Sequence, residues 1–349
     1  MLAGLMLPLF PVMAAPGADA PEQRYVSSMD TLITLTAYGE NSTRALDMAE
    51  EEIYRLNDLL STGREDSEIS ILNREGSGTL SPDVSAIIKE ALSLYESTGG
   101  LFDITIYPLM QLWGFAAPET DILSLTPEEE VHSYHVPDED ELQDVLARIG
   151  SDRLIYDGEA GTLTLGEGQT IDLGGIAKGY ASARLMEIYR QAGLTSGMVS
   201  LGGNVQCLNT KPDGSSYKIA IRDPWGSESS YAAVLEIRDE AVITSGGYER
   251  YFTDEATGVT YQHIMNPFTG YPVESDLASV SIITKDGMLG DGLSTSLYIM
   301  GIEDAVRYWQ EHSDEFDMLL IDQEGLIHIT EGIEDRLMMP DRYEVIHRS

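Results

Sequence analysis

Positive charge is scarce in this chain. Lys and Arg number 21 against 59 Asp and Glu, which leaves a formal net charge of −38 over 349 residues. Proteins that hold nucleic acid displace its counterions with clustered Lys and Arg, so this balance argues against a nucleic-acid partner. It equally disfavours adsorption to anionic lipid. A polyphosphate ligand would need a metal ion or backbone amides to offset the acidity. Cysteine is nearly absent: Cys207 stands alone, which excludes an intrachain disulfide and reads as a small buried apolar residue. Wholesale disorder is excluded by a 42% hydrophobic share, ample for a core.

Long apolar runs are also missing beyond the first residues, since no later stretch reaches the ~20 apolar positions of a membrane span. Leu2 to Ala15 is mostly apolar and runs into small residues (Gly17, Ala18, Ala20), the look of a secretory h-region and cleavage region. The basic n-region is absent, Arg24 being the first cation, and no Cys stands where a lipoprotein is acylated. The expectation is an exported protein, periplasmic or on the outer face of the cytoplasmic membrane. Residues 1–23 form a signal-like or disordered segment, and 24–349 one domain.

Within that domain, residues 29–38 alternate Thr with Leu and Ile as a strand does. Ser42 opens a helix to about Leu60 with the stripe Leu46, Ala49, Ile53, Leu56 and Leu60. Ser81-Pro82-Asp83 starts a second helix, ended at Gly99-Gly100. An acidic, proline-interrupted excursion covers about 118–140, before a helix at 141–149. From residue 154 onward short strands dominate, with helices near 176–191, 291–300 and 302–312. Strands and helices come in blocks, so the class is α+β.

Four glycine-bearing segments join strands to other elements: DLGGIAKG (172–179), SLGGN (200–204), TSGG (244–247) and GDGLST (290–295). Glycine lets backbone amides approach a ligand closely, and a helix N-terminus adds positive dipole. Four such loops point to a phosphate-bearing ligand, but none has the spacing of a P-loop or a Rossmann fingerprint. If a helix begins near Asp291, then Asp291, Ser294 and Thr295 share one face. These hard oxygen donors suit Mg²⁺; the competing reading is an Asp N-cap with two solvated hydroxyls. His263 precedes an Asn-Pro…Thr-Gly turn at a strand end, where it could orient a nucleophile or hold a phosphate oxygen, or be structural. The aromatic stretch 99–115 around Asp103 could wall a planar-ring pocket, or be a core strand.

Taken together, the segments MDT (29–31), STGREDSEISILN (61–73), GGLFDITIYPLMQLWGF (99–115), IDLGGIAKGYA (171–181), SLGGN, IRDP (221–224), TSGGYERYF (244–252), HIMNPFTGYPVES (263–275) and DGLSTSLYIMG (291–301) make the chain resemble the ApbE family, the FAD:protein FMN transferases. The resemblance implies an ApbE-like (T-fold-like) α+β fold, with mixed sheets flanked by helices in one large compact unit. It implies a Mg²⁺-dependent reaction, with one or two ions, that cuts FAD and attaches FMN to a threonine or serine hydroxyl of a target flavoprotein, such as a subunit of a membrane redox complex, releasing AMP. The family's metal ligands fall on the carbonyl of Gly175 and on Asp291 and Thr295, with Ser294 beside them. Flavin-binding positions fall on Met29, Leu101, Phe102, Asp103, Asp172, Lys178, Asn204 and Ile264. His263 and Lys178 take the catalytic places. An FAD pyrophosphatase, or a non-catalytic flavin-binding protein, is compatible with the same residues. One departure is Gly63, where many members carry an aromatic after the Ser-Thr pair; ring stacking then comes from elsewhere, with Tyr107 and Tyr248 as candidates.

Overall fold

The structure, a computed structural model, describes residues 20–116, 134–227, 229–339 and 342–348. The signal-like start and most of the acidic excursion at about 118–140 lie outside the described residues.

A hairpin opens the fold. Strand β1 (Glu22–Ser28) turns through Met29 and Asp30 into β2 (Thr31–Ala37). Both turn residues have positive φ, 52° and 55°, the backbone of a two-residue turn whose twist matches that of its strands. The pairing begins at Glu22 and Gln23, opposite Ala37 and Thr36, two residues before the expected domain start at 24. Helix α1 (Ser42–Leu60) buries the expected stripe, although Asn41 holds its N-cap position. The Ser42 hydroxyl instead donates to the Gly39 carbonyl. Beyond it lie a helix not anticipated from sequence, α2 (Glu68–Glu75), then β3 (Ser77–Thr79) and α3 (Pro82–Ser97). Ser81 caps α3 by accepting from the Val84 N–H. The stretch 99–115 is not a strand: Asp103 caps a short 3-10 turn, and Pro108, well placed in a first helical turn, leads α4 (Tyr107–Leu112).

The chain continues through α5 (Glu139–Leu146), β4 (Ile155–Asp157), β5 (Thr162–Thr164), α6 (Ala177–Gln191), β6 (Ser196–Leu201), β7 (Asn204–Asn209), β8 (Tyr217–Arg222), β9 (Tyr231–Ile237), β10 (Ala241–Gly246), β11 (Tyr251–Thr253) and β12 (Thr260–Gln262). It ends with β13 (Leu277–Thr284), α7 (Gly287–Met300), α8 (Ile302–Glu311), β14 (Asp317–Asp322), β15 (Ile327–Thr330), β16 (Leu337–Met339) and β17 (Glu344–Ile346).

A nine-stranded sheet in the order β1-β2-β6-β7-β10-β13-β14-β15-β17 is the spine. Its pairings are antiparallel except β15 with β17, so the sheet is mixed. The period-two alternation of strands sorts its side chains into two layers. Val280, Ile282, Met318 and Leu320 face the core shared with the helices. Ile283, Leu319 and Ile321 face the small sheet β16-β9-β8 on the other side. Strand β13 is buried along its whole length, as a central strand covered on both faces must be. Cys207 lies in the second layer, 1% exposed, and burial pushes its thiol pKa well up, the inert apolar residue expected. Among the described residues no helix is long and apolar enough to cross a membrane.

Candidate active site

Helix α7 starts earlier than its sequence suggests. Asp286 is the N-cap, accepting from the Met288 and Leu289 N–H groups, so Asp291 sits in the second turn and is no cap. The glycines around it are needed for packing. A Cβ on Gly290 would lie 2.9 Å from Ile243, and one on Gly292 2.4 Å from Leu94. Helix α6 crosses at Gly179, where a Cβ would meet the Gly287 carbonyl at 2.2 Å and Asp291 Cβ at 2.7 Å. This close approach lets the Gly179 N–H donate to Asp291 Oδ2 at 2.8 Å.

The other carboxylate oxygen, Oδ1, accepts from the Asn204 amide at 2.8 Å. Asn204 is itself 3% exposed and follows Gly202 and Gly203, whose φ values of 59° and 102° turn β6 into β7. Around Asp291 lies a hydroxyl cluster. Ser294 Oγ, fully buried, donates to the Asp291 carbonyl at 2.9 Å and meets Ser245 Oγ at 2.8 Å. Thr295 Oγ1, partly exposed, makes only a 3.4 Å contact with Ser245. Asp291, Ser294 and Thr295 therefore do share one face, with Thr295 the less committed hydroxyl. Nothing in the sequence around Ser245 signals a role; only the meeting of β10 with α7 brings it to the site.

The turn before α6 carries the second acid. Asp172 Oδ1 accepts from the Gly174 N–H at 3.0 Å, and Lys178 Nζ reaches the Gly174 carbonyl at 3.4 Å. Gly175 is exposed, and one Phe102 ring atom lies 3.3 Å from its Cβ position and 3.4 Å from that of Gly292. Phe102 thus ties the Gly-Gly turn to the Asp291 helix. The β1–β2 hairpin tip joins them: the Met29 N–H donates to Asn57 Oδ1 at 3.0 Å, and the Asp30 charge acts on Asp172. Leu101 and Phe102 close this wall, and Phe102 N–H donates to Thr98 Oγ1. Asp103 is buried and held by Thr105 and Ser151. Its Oδ1 accepts from Thr105 N–H, Thr105 Oγ1 and Ser151 Oγ, while Oδ2 takes the Ser151 N–H. Only Oδ2 keeps room for a ligand donor.

His263 follows the β11–β12 hairpin and hydrogen-bonds the Arg250 carbonyl through both its backbone N–H (3.0 Å) and Nδ1 (3.2 Å). That bond makes Nδ1 the protonated nitrogen and leaves Nε2 with a lone pair. Burial, then the Arg250 and Lys178 charges, push its pKa down to about 3. Ile264 beside it is 4% exposed. Burial raises the carboxyl pKa of both Asp291 and Asp172, and Lys178 lowers each. Lys178 thus acts on both the buried Asp291 and the half-buried Asp172, with Arg250 adding to the latter, and burying a carboxylate without full compensation is costly. A divalent cation at Asp291 would add the missing positive charge. The Lys178 backbone N–H also acts on Asp291; Thr295 carries a loosely held hydroxyl, and Gly175 is exposed. Among the described residues no three His, Cys, Asp or Glu side chains cluster as a metal site. Asp291, Thr295 and the Gly175 carbonyl would bring a single protein charge to a cation, and Mg²⁺ is commonly completed by water and phosphate.

The sequence matches the ApbE family over residues 29–320. The chain belongs to the ApbE family. Among its ApbE relatives, the FAD:protein FMN transferase of Treponema pallidum is 30% identical over 339 residues, covering 91% of this chain and 89% of the relative. That of Vibrio cholerae is 34% identical over 251 residues, 71% of each chain. The apbe protein of Thermotoga maritima superposes with a TM-score of 0.79 at 28% identity, over 90% of this chain and 98% of that one. The flavin transferase ApbE of Vibrio cholerae gives 0.77 at 28%, over 91% and 100%. In this ApbE chain the expected aromatic is replaced by Gly63, whose N–H bonds Ser61 Oγ. Of the two expected substitutes, Tyr248 carries the Arg222 guanidinium 5.0 Å over its ring, and Tyr107 starts α4, half-buried.

Proposed function

We propose that this protein transfers FMN from FAD to a threonine or serine hydroxyl of a target flavoprotein, with Mg²⁺, and releases AMP. The observation that carries the reading is Asp291: a buried carboxylate held at both oxygens, beside a spare hydroxyl, with its charge only partly met by Lys178. Asp291, Thr295 and the Gly175 carbonyl would hold the cation, which supplies charge neutralisation at the pyrophosphate. Lys178 stabilises charge on the transferred phosphoryl group, the main demand of this chemistry. His263 Nε2, unprotonated at neutral pH, accepts a hydrogen bond from the attacking hydroxyl and aligns its oxygen on the FMN phosphorus, and the hydroxyl proton leaves with the departing AMP phosphate or to water. The new oxygen–phosphorus bond forms as the bond to AMP breaks. A loose transition state asks little base strength, so a histidine of low basicity suffices to position the nucleophile. Phe102, Leu101 and the Met29 turn flank the ring end of the site.

The same reading places the protein outside the cytoplasm, next to a membrane redox complex whose subunit is the acceptor; the apolar start of the chain supports it. Incubation with FAD, Mg²⁺ and an acceptor fragment carrying the threonine tests the reaction. A covalent mass gain of one FMN on the acceptor supports it. Soluble FMN and AMP alone would replace it with a pyrophosphatase, and intact FAD with a binding protein.

A further inference from the structure

Phe268 is 61% exposed, an unusual state for a ring on so rigid a support. Asn266 Oδ1 accepts from the Phe268 N–H at 2.9 Å and the Thr269 N–H at 3.2 Å. The turn is closed by Gly270 N–H to the Asn266 carbonyl and Asn266 N–H to the Tyr271 carbonyl, both 2.9 Å. The indole N–H of buried Trp113 then pins the Gly270 carbonyl at 2.8 Å. The ring does not hang into solvent at random: its Cζ lies 3.1 Å from the Cβ position of Gly100, with Tyr95 at 3.4 Å on the same spot. The ring thus packs on Gly100 beside Tyr95, where the chain runs directly into Leu101 and Phe102, and its loop leaves directly from His263 and Ile264.

We infer that Phe268 is a substrate-positioning residue that stacks on a planar ring of the flavin dinucleotide. This rests on the flavin-transfer reading above. A pre-ordered ring loses little freedom on binding and presents a full π-face, the conditions under which stacking contributes most. Neither Tyr248, covered on one face by Arg222, nor half-buried Tyr107 offers a comparably open ring.

The test is FAD titration of the full chain, followed by quenching of flavin fluorescence, for the parent, Phe268→Ala and Phe268→Tyr. Phe268→Ala is expected to raise the FAD Kd roughly tenfold, the size of one lost ring stack, and to reduce the quenching. Phe268→Tyr restores both. In turnover the loss appears in KM for FAD more than in kcat. Parallel titrations with FMN and with AMP identify the ring: the one whose affinity falls is the one stacked. An unchanged Tm for Phe268→Ala shows that the fold is intact. If the parent binds FAD and Phe268→Ala binds it equally well, this inference is overturned while the transfer reading stands. If the parent binds no FAD, both fall.

Discussion

Asn204 and Asp291, 87 positions apart in the chain, meet in a 2.8 Å hydrogen bond between the Asn204 amide and the Asp291 carboxylate. The bond joins the start of β7 to the second turn of α7, and with the Gly179 N–H it fixes the plane of the carboxylate. The Asn204 amide is therefore a support for the proposed cation site.

Asn204→Ala removes that support without touching the carboxylate. By the behaviour of residues that orient metal ligands, Mg²⁺ affinity should fall about 10–100-fold, while Lys178 and the hydroxyls stay in place. The Mg²⁺ concentration needed for half-maximal FMN transfer measures it. An unchanged requirement would mean that the cation sits elsewhere.

Asp291→Asn separates charge from shape. The amide oxygen can keep the Gly179 N–H, and Asn204 can turn its own carbonyl towards the new NH₂, so the packing survives. Removing a buried charge that is only partly compensated spares a desolvation cost. The metal-free variant should melt no lower than the parent, yet lose both the Tm rise with Mg²⁺ and FMN transfer. Thermal melts with and without Mg²⁺ read the first, acceptor mass the second; a preserved Mg²⁺ shift removes Asp291 from the ligand set.

His263 should not titrate near neutrality. Its folded pKa of about 3 lies below the ordinary 6.5, so the unfolded chain binds a proton first as pH falls. Its contribution to stability is therefore fully present above 6.5 and is lost as pH drops from 6.5 towards 3. Imidazole C–H resonances should stay flat between pH 5 and 8, and the turnover profile should lack an acid limb at the usual histidine value. His263→Ala should lower turnover more than FAD affinity; equal losses would make the residue a binding group.

Gly179→Ala tests the helix crossing. The new methyl would stand 2.2 Å from the Gly287 carbonyl, a backbone atom, so α6 and α7 must separate. Overpacking of this kind costs about 1–3 kcal/mol or more, against roughly 1 kcal/mol gained in helix propensity. A lowered Tm together with lost Mg²⁺ binding is expected, since the Gly179 N–H leaves Asp291. A stable variant with normal metal response would refute the crossing geometry.

Local patterning determined much by itself. The stripe of α1, the Ser81 cap of α3, and the common helical face of Asp291, Ser294 and Thr295 all follow from spacing a few residues long, which the backbone geometry of a helix converts directly into a surface. The ordered segments from Met29 to Gly301 likewise carried the family resemblance. Tertiary structure alone decided the rest. Asp103 caps its own turn through Thr105, but it gains two further donors only because Ser151, 48 positions away, folds against it. The glycines of 290–292 serve helix packing because Leu94 and Ile243 arrive from other elements. Ser245 gains a place beside the site, and Phe268 its perch on Gly100, only when distant strands and loops converge. Burial and charge compensation belong to the assembled neighbourhood, so no window of sequence, however well read, contains them.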